Sequence, residues 1–246
     1  GAVSVAEVER RFGVSPMTAR RDLRALEEQG IARRIHGGAV LPSISAQEDS
    51  FTRRLSVATA AKARLADAAV ELVAPEETIV LDSSSSAYFV AQWLVDRGMP
   101  VTVITNSLPI MRLIASIDSP PIDLIAIGGT LRRATGSFVG PAAVEMIRGR
   151  FADRMFLSAK GLTTTGVLTD ADELEAECKR AMIAQAAAIP LVDGSKLGAR
   201  GRHAIAQVGE LACVLADGLA PTQLAELRAA GATVRTADGE ATATAS

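Results

Sequence analysis

Aromatic side chains are scarce, at 3% of 246 residues with a single Trp and a single Tyr. That scarcity argues against an aromatic-rich sandwich. It favours helices packed on buried parallel strands, since the apolar content is mostly Ala, Val, Ile and Leu. Cysteine is nearly absent. Cys178 and Cys213 form neither a C-x-x-C pair nor a metal-ligand spacing, which excludes a disulfide framework and points to a reducing compartment. No apolar run approaches the ~18 uninterrupted residues of a membrane span, and no secretory leader is evident, so a cytoplasmic chain without membrane contact is expected. There are only two histidines. No convincing nucleophile–base pair and no cofactor or metal motif emerges.

What is present suffices for a sizeable core: 48% hydrophobic and 22% charged residues over a length comfortable for two domains. The net charge of −2 is unevenly spread. Residues 1–42 hold seven Arg against five acids, an excess of +2, and the remainder is −4. A modest basic excess is the weakest sign of nucleic-acid binding and needs a motif to support it.

The motif lies in the same segment. Ser4 predicts the start of a helix over Val5–Phe12, closed by Gly13. Ser15 caps a second helix with Pro16 in its first turn, running to about Gln29, where Gly30 stops it. The following stretch from Ile31 to Leu41, with Gly37-Gly38 as its turn, reads as a short hairpin. The second helix has the parts of a DNA recognition helix. Ser15, Thr18, Arg20, Arg21 and Arg24 lie in its first two and a half turns, where they can meet phosphates and base edges, while Leu23 and Leu26 face inward. Arg33, Arg34 and His36 on the hairpin are placed to reach the adjacent backbone.

Residues 43–57 read as a polar linker. From 58 to 235 strands and helices alternate, which predicts an α/β domain with a mostly parallel, doubly wound sheet. Residues 236–246 read as a low-complexity tail. In a doubly wound sheet ligands sit beyond the C-terminal ends of strands. Polar residues gather at those ends: Asp82 with Ser83, Ser84, Ser85 and Ser86; Asn106 between Thr105 and Ser107; Gly128 and Gly129 with Arg132; Lys160 and Gly161; and Asp193 with Lys196. Glu175 and Lys179 share one helix face. Hydroxyls and N–H groups at a helix start, with several cations nearby, suit a phosphate.

Two stretches carry a family resemblance. Thr18-Ala-Arg-Arg-Asp-Leu23, then Leu26, Glu27, Gly30 and Arg34-Ile-His-Gly-Gly-Ala39, closely resemble the signature of DeoR-type bacterial repressors. Asp82–Ser86, Thr105-Asn106-Ser107, Ile127-Gly128-Gly129, Phe138-Val139-Gly140-Pro141, Glu175 with Lys179-Arg180, and Asp193-Gly194-Ser195-Lys196 resemble that family's effector domain. The resemblance covers roughly Val3 to Asp217. It implies a winged helix-turn-helix over residues 1–42, with Gly1–Ser4 matching the loop after a further helix that the family carries and this chain lacks. It also implies an effector domain similar to ribose-5-phosphate isomerase and the CoA transferases. The functional expectation is a transcriptional regulator, a repressor of carbohydrate metabolism genes. A phosphorylated sugar or related metabolite would control its affinity for a double-stranded DNA operator, and it would act as a homo-oligomer. The alternative is a sugar-phosphate isomerase or transferase, with Lys160, Asp82, Glu175 and Asp193 as acid–base groups. The family's usual Gly-Thr-Thr-like run is replaced here by serines at 83–86, which keeps hydroxyls and adds side chains.

Overall fold

A computed structural model describes residues 2–28, 32–35, 37–40, 50–118 and 121–238. The chain divides into two compact units at Val57/Ala58.

In the first unit the expected helices appear with Ser4, Gly13 and Ser15 at their ends, while Gln29 and the Gly30 stop lie outside the described residues. Helix α1, Val5–Phe12, starts in a capping box. Glu7 N donates to Ser4 Oγ at 3.2 Å, and Ser4 N donates back to the Glu7 carboxylate at 2.7 Å. Gly13, at φ 65°, ends it in the left-handed conformation that glycine adopts without strain. Helix α2, Pro16–Glu28, buries Ala19 and Leu23. The hairpin is also present. Strand β2, Arg33–Ile35, pairs antiparallel with β3, Gly38–Val40. Two features depart from the sequence reading. Ala2–Ser4, read as loop, is a strand, β1, on the other edge of β3. It approaches so closely that a Cβ on Gly38 would overlap the Val3 carbonyl oxygen. Residues read as linker contain a short helix, α3, Phe51–Ser56, capped by Ser50. Ser followed by polar and apolar residues over barely one turn carries too little periodicity to announce it.

The second unit is built on seven strands, all parallel: β4, Thr78–Leu81; β5, Val101–Thr105; β6, Ile122–Ala126; β9, Arg154–Leu157; β12, Ala187–Asp193; β14, Val214–Asp217; and β15, Val234–Thr236. Their order is β15-β14-β12-β9-β4-β5-β6. Alternate side chains feed two cores. Ile79, Leu81, Val103 and Phe156 join α4, Thr59–Val70, α5, Ser85–Asp96, and α6, Leu108–Ala115, on one face. Val80, Ile104, Met155 and Leu157 join α7, Pro141–Arg148, α8, Glu173–Ile183, and α9, Pro221–Ala229, on the other. A strand buried on both faces explains the continuous apolar runs in the sequence.

Two small antiparallel sheets were not foreseen. One is the hairpin of β7, Thr130–Arg132, and β8, Ser137–Val139. The other is a three-stranded sheet of β10, Gly161–Leu162, β11, Val167–Asp170, and β13, His203–Gln207. Because β4 is the first strand and lies inside the large sheet, with β5 and β6 to one side and β9 onward to the other, the winding reverses between β4 and β9. That is where a doubly wound sheet opens a crevice.

Candidate functional site

At the end of β4, Asp82 is fully buried and ties two strand ends together. One carboxylate oxygen accepts from Ser84 N at 3.0 Å, and the other accepts from Ser158 N, just beyond β9, at 3.2 Å. The charge is met by Lys179 on α8, whose Nζ lies 3.4 Å away. Lys179 Nζ also donates to Asp170 at 2.6 Å and to the Ser158 carbonyl at 2.7 Å. Burial disfavours its ammonium, but Asp170, Asp82 and Glu175 outweigh burial and raise its pKa. One helical turn earlier, Glu175 accepts from Ser83 Oγ at 3.0 Å and from Ser137 Oγ at 2.6 Å. Arg132 reaches in at 3.8 Å, and its Nε donates to Asp172 at 3.2 Å. Glu175 and Lys179, which share one helix face, are therefore buried parts of a network rather than an exposed surface pair.

Ser83, Ser84, Ser85 and Ser86 are all buried. Ser84 caps α5, accepting from Ala87 N at 3.1 Å. The first N–H groups of α5, at Ser85 and Ser86, have no partner within their own helix. Beyond β5, Asn106 donates through Nδ2 to the Phe138 carbonyl at 2.9 Å. Its Oδ1, and the hydroxyl of Ser107, are buried with no hydrogen-bond partner among the described residues. Buried polar atoms are almost always paired, so two adjacent orphans mark a place shaped for something else.

The remaining predicted positions sort into two groups. Lys160, Gly161, Asp193 and Lys196 lie at the same sheet edge on the β9–β12 side, joined by Leu162 N donating to the Lys196 carbonyl at 2.8 Å. Asp193 accepts from the backbone of Ser195 at 2.9 Å and shapes that turn. Gly129 serves close packing: it has φ 144°, and a Cβ there would lie 2.8 Å from the Val139 carbonyl oxygen, whereas a Cβ on Gly128 would meet only Met146 Sδ at 3.7 Å. Sequence reasoning missed Ser137, Thr135, Ser158, Asp170 and Asp172. Only Asp172 carried a signal, as the residue three before Glu175 that caps α8.

In the first unit, Ser15 and Thr18 hydroxyls pair at 3.0 Å at the start of α2, and Arg20, Arg21 and Arg24 are exposed along it. Arg33 and Arg34 lie on β2, while His36 falls outside the described residues. Among the described residues no cluster could hold a metal ion, and no helix is long and apolar enough to cross a membrane.

Two family models match the chain. The DeoR-like helix-turn-helix domain covers residues 1–45, and the DeoR C terminal sensor domain covers residues 57–218. The chain is 34% identical over 233 residues to the HTH-type transcriptional regulator GlpR of Haloferax volcanii, spanning 94% of this chain and 90% of that one. It is 34% identical over 175 residues to the lactose phosphotransferase system repressor of Lactococcus lactis subsp. lactis, spanning 70% and 68%. Among solved structures it is similar to ribose 5-phosphate isomerase A of Methanocaldococcus jannaschii, with 20% identity, a TM-score of 0.41, and coverage of 56% of this chain and 54% of that one.

Proposed function

The chain belongs to the DeoR family of transcriptional regulators, and from that premise we propose how it works. It is a DNA-binding regulator and not an enzyme; the isomerase or transferase alternative gives way to the family of regulators across the whole chain. We assign it to repression of carbohydrate metabolism genes, under control of a phosphorylated sugar bound at the crevice between β4 and β9. The observation that carries this assignment is the pair of orphaned buried atoms, Asn106 Oδ1 and Ser107 Oγ, beside the buried serine loop at the start of α5.

The chemistry follows from those groups. A phosphate has its place at the N-terminus of α5, where the N–H groups of Ser85 and Ser86 and nearby hydroxyls point at an anion. Arg132, Lys160 and Lys196 supply cations around it. Asn106 Oδ1 accepts from a sugar hydroxyl, and Ser107 can donate to or accept from another. Glu175 and Lys179, already engaged by protein groups, hold the loop in shape. Ser15, Thr18, Arg20, Arg21 and Arg24 on α2 read the major groove, with Arg33, Arg34 and His36 on the wing against the backbone. A symmetric homo-oligomer in the cytoplasm would present two such helices to a two-fold operator. The ligand changes DNA affinity only through different affinities for the two states.

The test is a thermal-shift screen of the purified chain against phosphorylated sugars and their unphosphorylated counterparts. A binder of the folded state raises the melting temperature by mass action. The expected result is a rise with one or a few phosphorylated sugars, reduced in Ser84→Ala and Lys196→Ala. A folded chain that responds to none of the phosphorylated compounds sinks the sheet-edge assignment.

A further inference from the structure

A second concave site lies away from the β4–β9 crevice, against the small antiparallel sheet. It is a cavity of about 470 Å³, within the range of small-molecule sites. None of its lining residues belongs to the serine loop, the Asn106 turn or the Lys179 network. Its polar character comes from Thr163, Thr164 and Thr165 on the β10–β11 turn, Thr169 on β11, and the guanidinium-bearing Arg200 and Arg202. No carboxylate is among the lining residues. Among the described residues neither arginine has an ion pair or a hydrogen bond from its side chain.

Two arginines line the cavity and no carboxylate does, so its charge is positive and suits an anion. Here they sit on a loop that the fold holds firmly. Gly198 N donates to the Leu162 carbonyl at 2.8 Å, and Gly201 N donates to Thr169 Oγ1 at 2.8 Å. The loop is pressed so closely onto β10 and β11 that a Cβ on Gly161 would overlap the Ala199 carbonyl, and one on Gly201 would overlap the Asp170 carbonyl. The opposite wall is equally ordered: Thr163 Oγ1 and Thr165 Oγ1 are 2.9 Å apart, and Val167 N donates to Thr163 Oγ1 at 2.9 Å. Guanidinium forks carried on a held loop, in a cavity also lined by hydroxyls, are a donor set that suits a phosphate group.

We propose that this cavity is a second anion site, which takes a phosphate-bearing small molecule on Arg200 and Arg202. It goes beyond the effector reading, because it uses none of the residues assigned there. The site also adjoins that network: Thr169 is next to Asp170, which grips Lys179, so an anion here would act on the loop that backs the first site.

The experiment is isothermal titration of the full chain with inorganic phosphate and with pyrophosphate, in the wild type, Arg200→Ala/Arg202→Ala, Arg200→Lys/Arg202→Lys and Ser84→Ala. Both arginines are exposed, so the double variants are expected to fold, and circular dichroism checks this. The proposal expects saturable binding of at least one probe in the wild type and in Ser84→Ala. It expects about a tenfold or greater loss in the double alanine variant and an intermediate loss in the lysine variant, which keeps charge but not the fork. Absence of saturable binding in the folded wild type overturns it, as does equal binding by the double alanine variant. Loss in Ser84→Ala alone would place the anion at the sheet edge and also overturn it. A double variant impaired only toward DNA would assign the arginines to the operator and overturn it as well. Failure of the effector reading shows separately, as a phosphorylated-sugar response that Ser84→Ala leaves intact.

Discussion

Lys179 is a charge that the sequence places on a helix and the fold places in the interior. Burial works against its ammonium, and Asp170, Asp82 and Glu175 restore and exceed the loss, so its pKa lies above 10.5. A raised lysine pKa contributes stability that is fully present below the unfolded value and lost as pH rises through the folded one. Replacing Lys179 by Met keeps the volume but leaves Asp82, buried, and Asp170, partly buried, without their cation. The expected cost is about 3–5 kcal/mol, read as a fall in the urea midpoint; an unchanged midpoint would refute the role assigned to Lys179. Cys178 shifts for a related reason. Burial and the neighbouring Glu175 push its thiol up to about 11, and burial also raises Cys213. The thiol form is the favoured one in the fold, so its stabilisation is present below pH 9.0 and is lost as pH rises toward 11. Both cysteines should therefore resist a thiol reagent at pH 8 in the native chain and react fully in denaturant. Fast native labelling at Cys178 would contradict the burial described for it.

At the scale of elements, legibility followed length and punctuation. Helices α1 and α2 could be read from Ser4, Gly13, Ser15 and Pro16 because caps are local chemistry. The strands of the large sheet could be read because burial on both faces writes short runs rich in β-branched and apolar residues, such as Thr78–Leu81 and Val101–Thr105. Strands β7, β8 and β10, of two or three residues each, could not, since so short a run has no period and its partners lie elsewhere in the chain. The candidate site divides in the same way. Asp82, Ser84, Asn106 and Glu175 stood out beside strand ends or on a helix face. Ser137 and Ser158 did not, because what matters in them is a long-range contact: Ser137 to Glu175, and Ser158 to Asp82 and Lys179. The small sheet has its own test. Gly201→Ala forces a methyl group onto the Asp170 backbone, and overpacking of this kind costs about 1–3 kcal/mol. Differential scanning calorimetry should show a lower melting temperature, and a wild-type value would mean that the loop is not held against β11 as described.

At the scale of the whole molecule, the regulator reading demands a thermodynamic link between its two units. If a phosphorylated sugar weakens operator binding by some factor, operator DNA must weaken binding of that sugar by the same factor, because both equilibria close one cycle. For a coupling of about 1–3 kcal/mol the factor is about 5 to 150, within reach of fluorescence anisotropy on labelled operator and of titration calorimetry on the sugar. Ser84→Ala should reduce the sugar affinity and leave the sugar-free affinity for DNA as it is. The opposite pattern is expected of Arg20→Ala and Arg24→Ala: weaker DNA binding with an altered salt dependence, and an unchanged affinity for the sugar measured without DNA. A sugar that binds with equal affinity in the presence and absence of saturating operator is a ligand without regulatory effect. That result would separate occupancy of the β4–β9 crevice from control of α2.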